Sequence, residues 1–131
     1  MRIDEIRQLI RRSRMFLETA RFQIDRGFYD LAAFSLEQAL QLFLKAKLLE
    51  LGVDYPRTHS VRRLLEILSE VLSGEARERV RTLLSAYLME LGVLEDAYIT
   101  SRYVVREYTR DEVEILVKIV DEVIRNLESI S

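Results

Sequence analysis

Few side chains in this chain could do chemistry. It holds one histidine, His59, and no cysteine, so it offers no zinc or iron–sulfur ligand constellation. Its four glycines, Gly27, Gly52, Gly74 and Gly92, are isolated from one another, which leaves no glycine-rich phosphate loop. No EF-hand spacing occurs, and a Ser-His-acid triad would have to use His59 without any nucleophile-elbow motif. Glu95 and Asp96 are neighbours, but adjacent helix positions point about 100° apart and do not form a working carboxylate pair. We therefore expect no catalytic residue, no metal and no cofactor.

Two clusters still combine residue types suited to a ligand. In the first, Arg57-Thr58-His59 is followed one turn later by Arg62 and Arg63. Backbone N–H groups at a helix start favour an anion, and these cations would add to that. The same residues also make an ordinary helix start, with an imidazole bonded locally and arginines in solvent. In the second, Tyr98 and Arg102 stand four apart with Tyr103 following, a stacking surface beside a guanidinium fork. Here the plainer reading is that Tyr98 completes a core stripe while Arg102 bonds helix-end carbonyls or Glu95. The candidate contacts for a nucleotide, an RNA or a partner are His59, Tyr98, Arg102 and Tyr103.

The elements that must position them read as helices throughout. Residues 3–26 place Ile3, Ile6, Ile10, Leu17, Ala20 and Ile24 on one stripe, and Gly27 ends the run. Residues 28–51 repeat the pattern, closed by Gly52 as a left-handed cap. After a loop around Pro56, Thr58 is expected to cap a helix over about 59–72. Ser73-Gly74 breaks the chain, and a fourth helix is expected over about 75–98, followed by an extended connection at 99–108. Thr109 and Glu112 form a capping box that opens a last helix to about 128. Nothing alternates with the period of a strand. The fold expected is all-α, an up-and-down bundle of four to five helices in one domain spanning 1–131.

Composition sets the outer limits. At 131 residues with 49% hydrophobic side chains, the chain is long enough and apolar enough to bury a core without disulfides. There is no run long and apolar enough for a membrane span, and MRIDEIRQLI predicts no signal peptide. The expected setting is cytoplasmic. Twenty basic and 22 acidic residues nearly cancel, so no global field draws the protein to nucleic acid or lipid. Seventeen of the basic residues are arginine, suited to surface ion-pair networks and equally to bidentate anion contacts.

Apolar residues wrap two helices widely. In the last one, Ile115, Ile119, Val123 and Ile130 adjoin the face made by Val113, Leu116, Val117, Val120, Ile124 and Leu127. In the fourth, Ala86, Met89 and Val93 lie away from Val80, Leu83, Leu84, Tyr87, Leu91 and Leu94. Such surface left in water marks an interface, so a two-fold homodimer is expected, unless a further helix of the same chain covers it.

Four segments together resemble the HEPN domain family, in its small stand-alone prokaryotic branch. They are Gly27-Phe28-Tyr29-Asp30-Leu31-Ala32, the run from Gln38-Ala39 to Leu44-Lys45-Ala46, Thr58-His59-Ser60-Val61 ahead of Leu64-Leu65, and Tyr98 to Tyr103. The similarity runs from about residue 16 to 125, with Val104 where proline is usual. It implies a dimerising helical bundle linked to nucleotides or RNA, often partnering a minimal nucleotidyltransferase as a toxin–antitoxin pair. It also implies that some members are metal-independent ribonucleases, using an arginine followed four to six residues later by a histidine. No arginine occupies positions 52–54 ahead of His59, and no histidine follows it. The expectation is a non-catalytic, homodimeric binding module with a nucleotidyltransferase partner; the alternative is a HEPN ribonuclease toxin with an atypical active site.

Overall fold

The computed structural model describes the backbone of residues 2–103 and 106–130, and the side chains of 2–100 and 106–130. Among these the protein is all-α, with six helices: α1 (Arg2–Asp25), α2 (Tyr29–Glu50), α3 (Val61–Val71), α4 (Gly74–Ala86), α5 (Leu88–Tyr103) and α6 (Arg110–Glu128). None is long and apolar enough to cross a membrane.

The hairpin of α1 and α2 forms as the glycines require. Gly27 has φ +77° and Gly52 has φ +80°, a region that only glycine enters at no steric cost. At each, the glycine N–H and the next N–H reach back to carbonyls of the last turn: Gly27 to Ile24 and Phe28 to Gln23, Gly52 to Leu49 and Val53 to Leu48. This double bond pattern satisfies carbonyls that a helix end otherwise leaves open. Buried Ala20, Ala32, Ala33 and Ala39 keep the two helices close, and Ser13 Oγ donates to the Ala39 carbonyl at 2.6 Å.

Helix α2 is the spine. It packs against α1, α3, α5 and α6, and apolar residues surround it on every side, the pattern of a fully enclosed helix. Leu36, Leu40, Leu44 and Leu48 are fully buried along it, against Leu64, Leu65 and Leu68 of α3, Leu91 and Leu94 of α5, and Val120, Val123 and Leu127 of α6. Truncating one such leucine to alanine costs about 2–5 kcal/mol.

Three expectations change. The helix expected over 75–98 is two: α4 ends at Tyr87, whose φ of −118° and ψ of 25° leave the helical region, and α5 then continues to Tyr103 in place of an extended connection. No glycine or proline marks that break. It lets α4 lie on α3 while α5 turns to lie on α2. Ser60, not Thr58, caps α3, its Oγ accepting from the Arg63 N–H at 3.1 Å. Ile119 and Val123 of α6, and Ile130 just beyond its end, are buried within the one chain, leaving Ile115 exposed; packing from several sides hides a stripe that a single flanking helix would not. The Thr109–Glu112 capping box is present as expected.

Candidate functional site

The site forms where one face of α2 meets α5 and the start of α3. On α2 that face carries Phe34, Glu37, Gln38, Gln41 and Lys45, spaced so that they stack along one side at 100° per residue. From α5 come Glu95 and Tyr98, one turn apart. The loop before α3 brings His59 and Ser60.

Two of the expected site residues meet directly. The His59 imidazole stacks on the Tyr98 ring with centroids 3.7 Å apart and planes 16° from parallel. His59 is exposed and Tyr98 half-buried, so the pair shows one aromatic to solvent and roots the other in the protein. Behind it, Phe34 lies 6.3 Å from Tyr98, and Phe16 of α1 meets Phe34 edge-on at 6.5 Å. A row of four rings thus crosses from the α3 loop to α1. Arg102 and Tyr103 belong to the last turn of α5, but their side chains lie outside the described residues.

Glu95 holds the loop that carries His59. Its carboxylate accepts from Ser60 Oγ at 2.7 Å, from the Arg62 backbone N–H at 3.3 Å, and from Arg62 Nε at 2.9 Å, with Arg62 Nη2 completing a two-pronged contact. This overturns the expectation of an open anion site at the start of α3: the anion there is Glu95 itself. Carboxylates suit that position because the first-turn N–H groups lack intrahelical partners. The interaction raises the Arg62 pKa, mainly through its hydrogen bond to Glu95. Gly92, one turn before Glu95, leaves room for the approach; a Cβ there would sit 3.2 Å from Arg62 Nη1.

Beneath this lies a charge that α2 buries completely. Both Glu37 oxygens are occupied, one accepting from Gln38 Nε2 at 2.7 Å and the other from Gln41 Nε2 at 2.6 Å. Gln41 passes the chain on, its Oε1 accepting from Lys45 Nζ at 2.9 Å, and that ammonium lies over the Tyr55 ring. Burial pushes the Glu37 carboxyl up to about 7, with the negative charge of Glu95 adding to the rise and the two glutamine bonds and Lys45 opposing it. Burial also lowers the Lys45 pKa, against the pull of Glu37. A carboxyl that titrates near neutrality suits proton transfer, but Glu37 is sealed from solvent. What it can do here is orient Gln38, Gln41 and, through them, Lys45. Among the described residues no group of three or more His, Asp or Glu side chains gathers within reach of one metal ion.

Glu37, Gln41 and Glu95 were not among the residues expected from sequence. The signal for the first two was an acid and two amides inside a helix apolar on all sides, at the head of the run that ends in Ala46. For Glu95 no local signal exists, since its partners are 33 and 35 positions away.

A model of the HEPN domain matches residues 6–130. Among solved structures, TT1696 from Thermus thermophilus is 26% identical with a TM-score of 0.75, covering 94% of this chain and 95% of that one. ST0689, described as an archaeal HEPN homologue, is 22% identical with a TM-score of 0.66, covering 94% of each chain, and shares the fold. No match is found among curated proteins. With a family model spanning nearly all of its length, the chain belongs to the HEPN domain family.

Proposed function

We propose that this HEPN protein is a non-catalytic binding module: a homodimer that engages a nucleotidyltransferase and contacts a nucleotide or RNA through His59, Tyr98, Arg102 and Tyr103. The observation that carries this reading is the His59–Tyr98 stack, with rings 3.7 Å apart on a loop pinned by Glu95. A rigid aromatic pair is a platform for a base, since every base has a π-face to lay on it. Arg102 follows Tyr98 by four residues in the sequence, the spacing of one helical turn. A guanidinium there suits a phosphate attached to a stacked base. Self-association draws support from Met89 (82% exposed), Leu88 and Val93, apolar residues presented to solvent on α5.

Titration of the labelled protein with adenosine monophosphate and with a short single-stranded RNA tests the site. His59→Ala, Tyr98→Ala and Arg102→Ala should each weaken binding by about tenfold, the scale of one stacking or charged contact. Unchanged affinity in all three would reject the assignment. Sedimentation equilibrium should show a dimer that Met89→Glu dissociates, and co-purification with a nucleotidyltransferase tests the partner. The competing reading, a ribonuclease toxin, rests on the exposure of His59, which stacks on Tyr98. Cleavage of labelled RNA that disappears in His59→Ala would favour it.

A further inference from the structure

Between Ala32 and Leu49 every residue of α2 is buried except four: Phe34, Gln38, Leu42 and Lys45. At 100° per residue they fall within about 80° of one another, so an otherwise enclosed helix shows solvent a single strip. One end of the strip meets the His59–Tyr98 stack through Phe34, whose ring is 6.3 Å from that of Tyr98. The other end meets Tyr55, over whose ring the Lys45 ammonium lies at 5.1 Å. We propose that this strip is a track for single-stranded RNA, which stacks a base on His59 and Tyr98 and runs along α2 to Tyr55, its phosphates held by Lys45, Arg57 and Arg12. The inference rests on the nucleotide reading above and narrows it to a strand of several nucleotides.

The charges beside the strip suit a polyanion. Lys45 donates one hydrogen bond, to Gln41 Oε1 at 2.9 Å, and forms no ion pair among the described residues. An ammonium has three donors, so two remain for a ligand. Arg57 lies in the loop between Tyr55 and His59, and Arg12 lies one turn before Phe16 on α1. Both are exposed and make no hydrogen bond or ion pair among the described residues. The carboxylates bordering the strip are engaged. Glu37 is buried beneath it and bonded by Gln38 and Gln41, and Glu95 holds Ser60 and Arg62. Glu5 accepts from Tyr55 Oη at 3.2 Å, and Asp54 pairs with Arg2. Three cations thus keep donors open where each of these acids is taken.

Length favours a strand over a mononucleotide. From Phe34 to Lys45 the helix rises about 16 Å, and one strand of a duplex covers about 3.4 Å of axis per phosphate, so the strip faces up to about five nucleotides. Rings at both ends with cations beside them are the elements of a single-strand groove, in which bases stack without sequence preference while the backbone follows positive charge. The network under the strip fits the same use. Glu37 orients Gln41, and Gln41 holds Lys45, so the phosphate contact is set before a strand arrives.

Adenosine monophosphate and an octa-adenylate RNA are the probes, titrated calorimetrically into the full chain between about 50 and about 200 mM salt. The octamer should bind at least about tenfold more tightly than the monophosphate at the lower salt. Lys45→Gln and Arg57→Ala should each weaken the octamer by about threefold and flatten its logarithmic salt dependence by about 0.7, the increment of one phosphate contact on a single strand. An octamer that binds no better than the monophosphate overturns the track and leaves the stacked pair as a mononucleotide platform. Octamer binding whose affinity neither variant lowers overturns it as well. Displacement of the octamer by polyglutamate at equal charge concentration does the same, marking the cations as a site for an acidic protein. Octamer binding weakened by Lys45→Gln and Arg57→Ala but not by Tyr98→Ala would count against the stacked pair and for the track.

Discussion

Two faces of α2 place ionisable side chains in different surroundings. Towards α5, Glu37 is fully enclosed and both of its oxygens accept hydrogen bonds from amides on its own helix. Towards α1 and α6, the stem of Lys47 is buried while its ammonium reaches an open cleft, with the Glu50 carboxylate 3.6 Å away. The first is a closed polar network that holds a surface in place; the second is a long apolar stem packed inside with its charged head at solvent.

Changing the pH should disturb this contrast most. Folding raises the Glu37 carboxyl from 4.5 to about 7, so the native state keeps its proton where the unfolded chain has lost it. This contribution is fully present below pH 4.5 and is lost as pH rises to about 7, a fall of about 3 kcal/mol. Urea unfolding of the wild type and Glu37→Gln across this range should differ by that slope; parallel curves would show that Glu37 ionises freely in the fold.

Next in size is Glu95→Ala. It strips the anion from Ser60, Arg62 and the start of α3, and should cost about 2 kcal/mol, less than a fully buried pair because Arg62 is 41% exposed. The His59 ring resonances should shift with it as the loop loosens. Lys47→Met should behave differently, changing stability by less than about 1 kcal/mol, since the stem keeps its packing and the ammonium loses only a 3.6 Å ion pair to the exposed Glu50. A loss of about 2 kcal/mol or more there would erase the distinction between the faces. Smallest is Gly92→Ala: a gain in helix propensity of up to about 1 kcal/mol opposes displacement of Arg62 from a Cβ 3.2 Å away. The net change in stability, read by thermal unfolding, should stay under about 1 kcal/mol.

Much of the fold could be read directly. The hairpin followed from Gly27 and Gly52, and the start of α6 from Thr109 and Glu112, because each signal acts within one turn of backbone. His59 and Tyr98 were legible as candidates from their types and places. Their contact was not, because 38 intervening positions fold between them. The break at Tyr87 had no glycine or proline to announce it; the packing of α4 on α3 and of α5 on α2 sets that angle. The wide stripe of α6 was misjudged for a related reason, since how many helices flank a face is a property of the whole chain.

An all-α chain, the glycine ends of its first two helices, the capping box of α6 and its family were thus already written in the order of residues, since propensity, apolar period and capping chemistry are local. Only the packed chain could show that Glu95 fills the start of α3, and that Glu37 is enclosed with both of its oxygens bonded. Desolvation and charge pairing depend on what lies across a few ångströms of space, and here those neighbours come from other helices.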